Sequence, residues 1–463
     1  MELTTPQWTG PCASSSSTKL ASFSANGSTA LETPSSRCYS PSLLPYYSHL
    51  TPIQTHAQGS SRFRRSLNSW REYLSDAFLP VGFPHSVTPD YLAYQTYDSL
   101  QAFFSTITSM LANRAILEGL GVGDASSSAT YALLLTVLKD AMSRVATIVF
   151  AQRFGLAIEP ECKSYRFLAD LFNDSAFFLD LVSPVLEGVP KVVVLSTAEA
   201  LRALCGVAAG ASKAALSSHF AQQDNLAELN AKEASQETAI GLIGLVAGTV
   251  VVKLVEDRST VFFLMITLVF VHLLMNYLGV RAVTLRTLNR QRATILSQKW
   301  AHTARMPTPS EVSRLEAIIL WRPALRNRSG QETGTASFAK NYAAAMSGVE
   351  PTDVLRFRNF WLVVRRGFRA DIRILMLEGA EPVDVVEAWL TAADVAMELP
   401  VYCGGVDWET WDSNPRRLHD ICLTVLDLSM RERIEKAGWD LSTASFETAA
   451  PVRIRVESEK KDQ

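Results

Sequence analysis

Asp90, Tyr94, Asp98 and Gln101 follow one another at steps of four, four and three residues. That spacing puts all four on one stripe of an α-helix. A polar stripe opposite an apolar face can line a ligand cavity. It is equally the pattern of the solvated side of an amphipathic helix. Lys163, Arg166, Asp170, Asn173 and Asp174 repeat in the same manner, with Arg166 and Asp170 one turn apart and able to pair. The densest polar run lies between His219 and Glu237. It holds Asn225, Glu228, Lys232, Glu233, Gln236 and Glu237, and it stands directly before a long charge-free stretch. Charges at such a boundary must pair or face a wet cavity, because stripping their water is costly. They form either a structural interface network or a ligand or ion site. Asp124, which follows a glycine-rich run, and Lys139, in the middle of an apolar segment, complete the candidate binding set.

No catalytic set accompanies these residues. The sequence contains no nucleophile elbow, no H-E-x-x-H and no P-loop. Gly119-x-Gly121-x-Gly123 follows a helical pattern rather than a strand, and its spacing is not that of a dinucleotide fingerprint; it reads as a turn between helices. The six cysteines are scattered, none in a C-x-x-C pair, so neither a zinc site nor a redox pair is expected. The histidines have no metal-spaced neighbours. Net charge is −2, which excludes a strong basic field for nucleic acid. A non-enzymatic protein is expected, with no metal and no cofactor assigned.

These side chains must be positioned mostly by helices. Charged residues make up 19% of the 463-residue chain, below the roughly 25% of ordinary soluble domains, and the deficit is concentrated in its middle. Residues 238–252 and 259–280 carry no Asp, Glu, Lys or Arg. The second run meets the roughly 20 apolar residues a bilayer requires, and the first reaches it by tilting or by snorkelling of Lys253. A transmembrane hairpin is expected over residues 239–280, with integral membrane localisation and the lipid bilayer as partner; the alternative is a hairpin buried in a soluble core. Gly241, Gly244 and Gly248 share one helix face, and Gly206-Val-Ala-Ala-Gly210 has the spacing that lets helix backbones approach closely. Arg281, Arg286, Arg290 and Arg292 follow the second run and should hold the C-terminal part on the side of synthesis.

The expected organisation is a disordered Ser/Thr/Pro-rich tail over residues 1–68, a helical membrane domain over 69–299 and a small α+β domain over 300–463. Within the helical part, Thr88 should cap a helix whose first turn holds Pro89, and Asn225 with Glu228 has the form of a capping box. In the C-terminal part, Phe360-Trp-Leu-Val-Val and Ile372-Arg-Ile-Leu-Met-Leu read as strands, and residues 326–337 as a loop.

Several ordered segments resemble the RUS ("root UV-B sensitive") family. They are Leu79-Pro-Val-Gly-Phe-Pro-His-Ser-Val-Thr-Pro-Asp-Tyr, Tyr94-Gln-Thr-Tyr-Asp-Ser-Leu-Gln-Ala and Gly121-Val-Gly-Asp. Further matches are Lys163-x-x-Arg166-x-x-Ala-Asp170-x-x-Asn-Asp, His219-Phe-Ala, the run from Asn225 through Ala231-Lys-Glu-Ala-Ser-Gln-Glu-Thr, and Leu288-Asn-Arg-Gln-Arg. The resemblance is dense over residues 75–295. Its departures, such as Phe83 for Tyr, Tyr97 for Trp, Lys213 for Arg, Glu228 for Asp and Ala234 for Gly, are mild. A fungal or other non-plant member is expected. The resemblance implies a membrane-associated protein, with plant relatives linked to seedling development, auxin transport and vitamin B6 status, and it brings no accepted enzymatic activity. Three readings follow: a membrane component that binds or transports a small ligand, an adaptor acting through its C-terminal domain, and, third, an enzyme using a lysine with pyridoxal phosphate. A second RUS-family protein is a candidate partner.

Overall fold

A computed structural model describes residues 73–119, 129–350, 353–413 and 428–456. The expected tail, Asp124, and Gly121 and Gly123 of the glycine-rich run lie outside these residues.

The chain is mainly helical. Six long helices make up its first part: α1 (Tyr91–Gly119), α2 (Ala129–Ile158), α3 (Cys162–Val182), α4 (Gly188–Phe220), α5 (Leu226–Leu254) and α6 (Arg258–Ala282). The chain passes back and forth between two ends of this bundle. At one end Asp90, before α1, meets the backbone of Thr284, after α6. At the other, Arg114 of α1 donates to the carbonyls of Val252 and Val255, where α5 stops. The polar helices α1 and α3 occupy the middle. Around them stand α4, α5 and α6, each long and apolar enough to cross a membrane, with α2 packed on α4.

The expected hairpin takes a different form. α5 and α6 are joined by a tight turn but barely touch, because α1 is wedged between them and packs on both. The glycines of α5 serve that contact: a Cβ on Gly244 would lie 2.9 Å from Thr106 Cβ, and one on Gly248 would lie 2.5 Å from Met110 Sδ. Gly241 faces open space. Gly206 and Gly210 of α4 are likewise open, because the register of α4 turns Ala208 and Ser212 inward instead.

Two expected caps are replaced. α1 begins at Tyr91, with Thr88 in the preceding turn, its carbonyl accepting from Tyr91 N at 3.1 Å. Asn225 precedes α5 without a side-chain cap bond. Its amide instead donates to Ser86 O at 3.1 Å, and Glu228 accepts from Val81 N at 2.8 Å, so both side chains are spent on the segment before α1.

The C-terminal part is built on a six-stranded mixed sheet. β1 (Thr287–Leu288) leads into α7 (Arg290–Thr303), a short helix α8 (Pro309–Ser313), then β2 (Ala324–Arg326) and β3 (Glu332–Phe338). After α9 (Tyr342–Met346) come β4 (Val354–Arg356), β5 (Phe360–Arg365), β6 (Ala370–Leu377) and α10 (Pro382–Glu398). The strand order is β2-β3-β6-β5-β4, and a late strand, residues Arg453–Ile454, pairs with β6. Residues 326–337, read as a loop, are a turn and a strand. Gly334 has its Cα side against Ala370, where a Cβ would collide with the carbonyl of Ala370, so the polar, β-poor sequence hides a close strand pairing. α10 lies on the sheet and packs on α7, with Trp389 at the centre of the core and its indole donating to Thr294 at 3.0 Å. This core reaches back to Leu288, Ala293 and Leu296.

Candidate functional site

α1 and α3 turn their polar stripes toward each other. Arg166 of α3 donates to Asp98 at 2.8 Å and to Gln101 Oε1 at 3.4 Å, both on α1, and to Asp170 on its own helix at 3.2 Å. Its Nε reaches the hydroxyl of Tyr94 at 3.4 Å. Asp170 also accepts from the side-chain amides of Gln101 and Asn276. His272 of α6 completes the set: Nδ1 lies 2.8 Å from Asp174 Oδ2, and Nε2 lies 3.8 Å from Asp170 Oδ2. Three carboxylates therefore converge on one guanidinium and one imidazole, all buried or nearly so. Ions removed from water are tolerated only when paired and hydrogen-bonded. This network comes close, but Asp174 Oδ1, His272 Nε2 and Asn276 Oδ1 are left without a hydrogen-bond partner.

The expected residues Tyr94, Asp98, Gln101, Arg166 and Asp170 are thus brought together. Asn173 lies half-buried on α3 outside the network. Lys139 stands apart, 3.6 Å from Glu199 across α2 and α4. His272 and Asn276 were missed as site residues. Their signal was available: they are the strongly polar interruptions of the α6 run, and they stand one helical turn apart.

A second constellation rings the end of the bundle. Asp90 Oδ2 accepts from Thr284 N at 2.6 Å and faces His219 Nε2 at 3.1 Å. Burial pushes the Asp90 carboxyl up, but the partners His219 and Thr284 outweigh it and hold the group below the usual carboxylate range. Lys232 donates to the carbonyl of Asp76, and Gln236 to that of Phe78. Glu233 accepts from Ser217 at 3.1 Å, and Glu237 pairs with Lys213 at 2.9 Å. Lys232, Gln236, Glu228 and Asn225 therefore pin the segment of residues 76–86, while Glu233 and Glu237 tie α5 to α4.

Between this ring and the C-terminal part lies a cavity of about 680 Å³. Thr88, Cys162, Ser218 and His219 face it from the bundle, Arg286 from the linking segment and Asp440 from the far side. Burial pushes the Cys162 thiol up to about 11, so it is no ready nucleophile. Tyr94 connects the two constellations. Its ring packs on Phe220, next to His219, at 5.1 Å between centroids, while its hydroxyl touches Arg166.

The C-terminal part is joined to the bundle by a buried ion triad. Glu316 accepts from Lys163 of α3 at 2.5 Å and from Arg292 of α7 at 2.8 Å, and Ser313 accepts from Lys163 at 3.1 Å. Burial pushes Glu316 up, but the two cations beside it hold it below its ordinary range. Burial dominates at Lys163 and lowers its pKa.

A family model described as "Vitamin B6 photo-protection and homoeostasis domain" matches residues 64–304, which contain all six bundle helices and the whole buried network. "RUS family member 1" of Dictyostelium discoideum is 39% identical over 250 residues, 53% of this chain and 47% of that protein. The matched part thus spans about half of that relative's length. "Protein root UVB sensitive 3" of Arabidopsis thaliana is 30% identical over 352 residues, 73% of this chain and 79% of the relative. "Protein root UVB sensitive 2, chloroplastic", also of Arabidopsis thaliana, is 25% identical over 339 residues, 72% and 75% of the two chains. No solved structure matches.

Proposed function

Because this chain belongs to the root UVB sensitive (RUS) family, we propose that it is an integral membrane protein whose helical bundle binds or transports a small polar ligand without catalysing a reaction on it. The inverted polarity of the bundle carries this reading. Its charges lie inside, on α1, α3 and α6, while Leu133, Leu134, Val137 and Ile148 of α2, Leu242, Ile243 and Val246 of α5, and Phe263 and Phe270 of α6 are exposed. Monomeric soluble proteins rarely expose apolar surface on that scale, and a bilayer would cover it. Intramembrane ionisable residues by default mark substrate or ion pathways. In this reading the ligand enters at the cavity beside His219 and reaches the network past Tyr94. The cavity end, with its C-terminal domain, lies on the side of synthesis. The family description names vitamin B6, so pyridoxine-type compounds are the first small molecules to look for.

The test is gentle detergent purification of the full chain, with mass spectrometry of the small molecules that survive it. Wild type should resist alkaline carbonate extraction and carry a polar ligand. His219→Gln should extract in the same way, keep its abundance and lose at least about ten-fold in bound ligand, roughly 1.4 kcal/mol of affinity. Release of wild type by carbonate would sink the membrane reading. Equal ligand in wild type and His219→Gln would remove the cavity from the path.

A further inference from the structure

The C-terminal domain holds a separate cavity of about 260 Å³ where α7 and α10 pack. Trp300 lines it from α7, Arg328 from the turn between β2 and β3, and Asp394, Met397 and Glu398 from α10. Arg328 is already engaged, since its guanidinium pairs with Glu398 at 2.6 Å. Asp394 is not: it accepts from the Ser297 hydroxyl at 3.3 Å, and no cation pairs with it among the described residues. With both carboxylates ionised, the cavity carries one more negative charge than positive.

The walls suit a particular kind of cation. Trp300 and Met397 border the cavity, and an indole face is a surface on which a positive group is stabilised. The Ser297 hydroxyl donates to Asp394 Oδ1, so Oδ2 is the oxygen with no hydrogen-bond partner among the described residues. A planar guanidinium is best held by two parallel acceptors, whereas an ammonium is a point charge that needs only one. We propose that this cavity binds an ammonium group, carried by a lysine side chain or by a small primary amine. The site lies in the C-terminal domain and does not depend on the bundle's ligand.

The electrostatics of the cavity agree. Burial pushes the Asp394 carboxyl up to about 7, against the smaller opposing pull of Ser297 and Arg328 and with a further push from Glu398. A recessed carboxylate without its counter-ion behaves in that way. Because an ammonium binds the ionised form, affinity should rise as pH goes from 5.5 to 8.

The full-length protein in detergent can be titrated with n-butylammonium chloride, with Nα-acetyl-lysine methylamide and with neutral n-butanol, followed by calorimetry. Both amines should bind at pH 8, at least ten-fold more weakly at pH 5.5, and at least ten-fold more weakly to Asp394→Asn. The asparagine keeps an acceptor for Ser297, so thermal unfolding at pH 8 should show it folded and no less stable than wild type. Trp300→Leu should weaken binding several-fold. Tighter binding of the lysine analogue would identify a protein side chain as the source, and tighter binding of butylammonium a free amine. Butanol binding as well as butylammonium, or undiminished amine binding by a folded Asp394→Asn, would overturn the proposal.

Discussion

Arg166 is the guanidinium on which the buried network closes, since Asp98, Asp170, Gln101 and Tyr94 all use it. Arg166→Met should leave two carboxylates buried without their cation and cost about 3–5 kcal/mol, seen as a large drop in thermal stability in detergent. Lys232→Met should behave differently. Its amine holds one backbone carbonyl at an exposed position, so the loss should stay within about 1 kcal/mol, with abundance and membrane extraction unchanged. The spacing in the sequence disclosed the stripe of Asp90, Tyr94, Asp98 and Gln101, because a repeat of three and four is visible in any helix. Which way the stripe faces was not disclosed, because a solvated face and a cavity wall share the same period. Burial of α1 on several sides decides it, and that is a tertiary fact. The charges at the start of α5 show the converse: their closeness to an apolar run left a structural network and a ligand site equally open, and in the fold Glu228 and Lys232 hold the segment before α1 while Glu233 and Glu237 bond to α4.

At the scale of elements, the fit of α1 against α5 rests on missing side chains. Gly244→Leu must push Thr106 and the Phe103 carbonyl aside, both within 3.3 Å of a Cβ. Overpacking of this kind costs about 1–3 kcal/mol. Gly241→Leu, three residues away and facing open space, should be near neutral. Thermal unfolding of the two variants side by side checks the packing; equal stability would contradict it. The three glycines were legible as a face, but not which two of them meet a neighbour, since that depends on the rotation of α5. Long helices and the strands β5 and β6 were legible because each has a strong period. β3 was not, since Glu-Thr-Gly-Thr-Ala-Ser-Phe has little β-propensity and earns its place by pairing with β2 and β6.

At the scale of the whole molecule, the bundle and the C-terminal domain are held together by Glu316 between Lys163 and Arg292. The carboxyl is held below its ordinary range, so its contribution to stability is complete above that range and is lost as pH falls through the folded-state value. Acidification through the folded-state value should therefore loosen the joint, and limited proteolysis between α6 and α7 should accelerate. Glu316→Gln should bring the same sensitivity to pH 7, because two buried cations lose their counter-charge, at about 3–5 kcal/mol. Proteolysis unchanged in the variant would contradict that role. Nothing in the sequence pointed to this triad, because Lys163 lies 153 residues before Glu316.

The wedging of α1 between α5 and α6 also sets an order of events at the ribosome. α1 is complete about 110 residues before α5 begins, roughly 5–20 s at ~5–20 residues per second. During that wait Asp98 has no guanidinium until Arg166, 68 residues further on, is made, and neither flank of α1 is covered. In the membrane reading proposed above, a newly made α1 is thus a poor candidate for immediate release into lipid. It should remain with the insertion machinery or a chaperone until α6 closes the bundle, and crosslinking of stalled chains ending before and after α6 would time its departure.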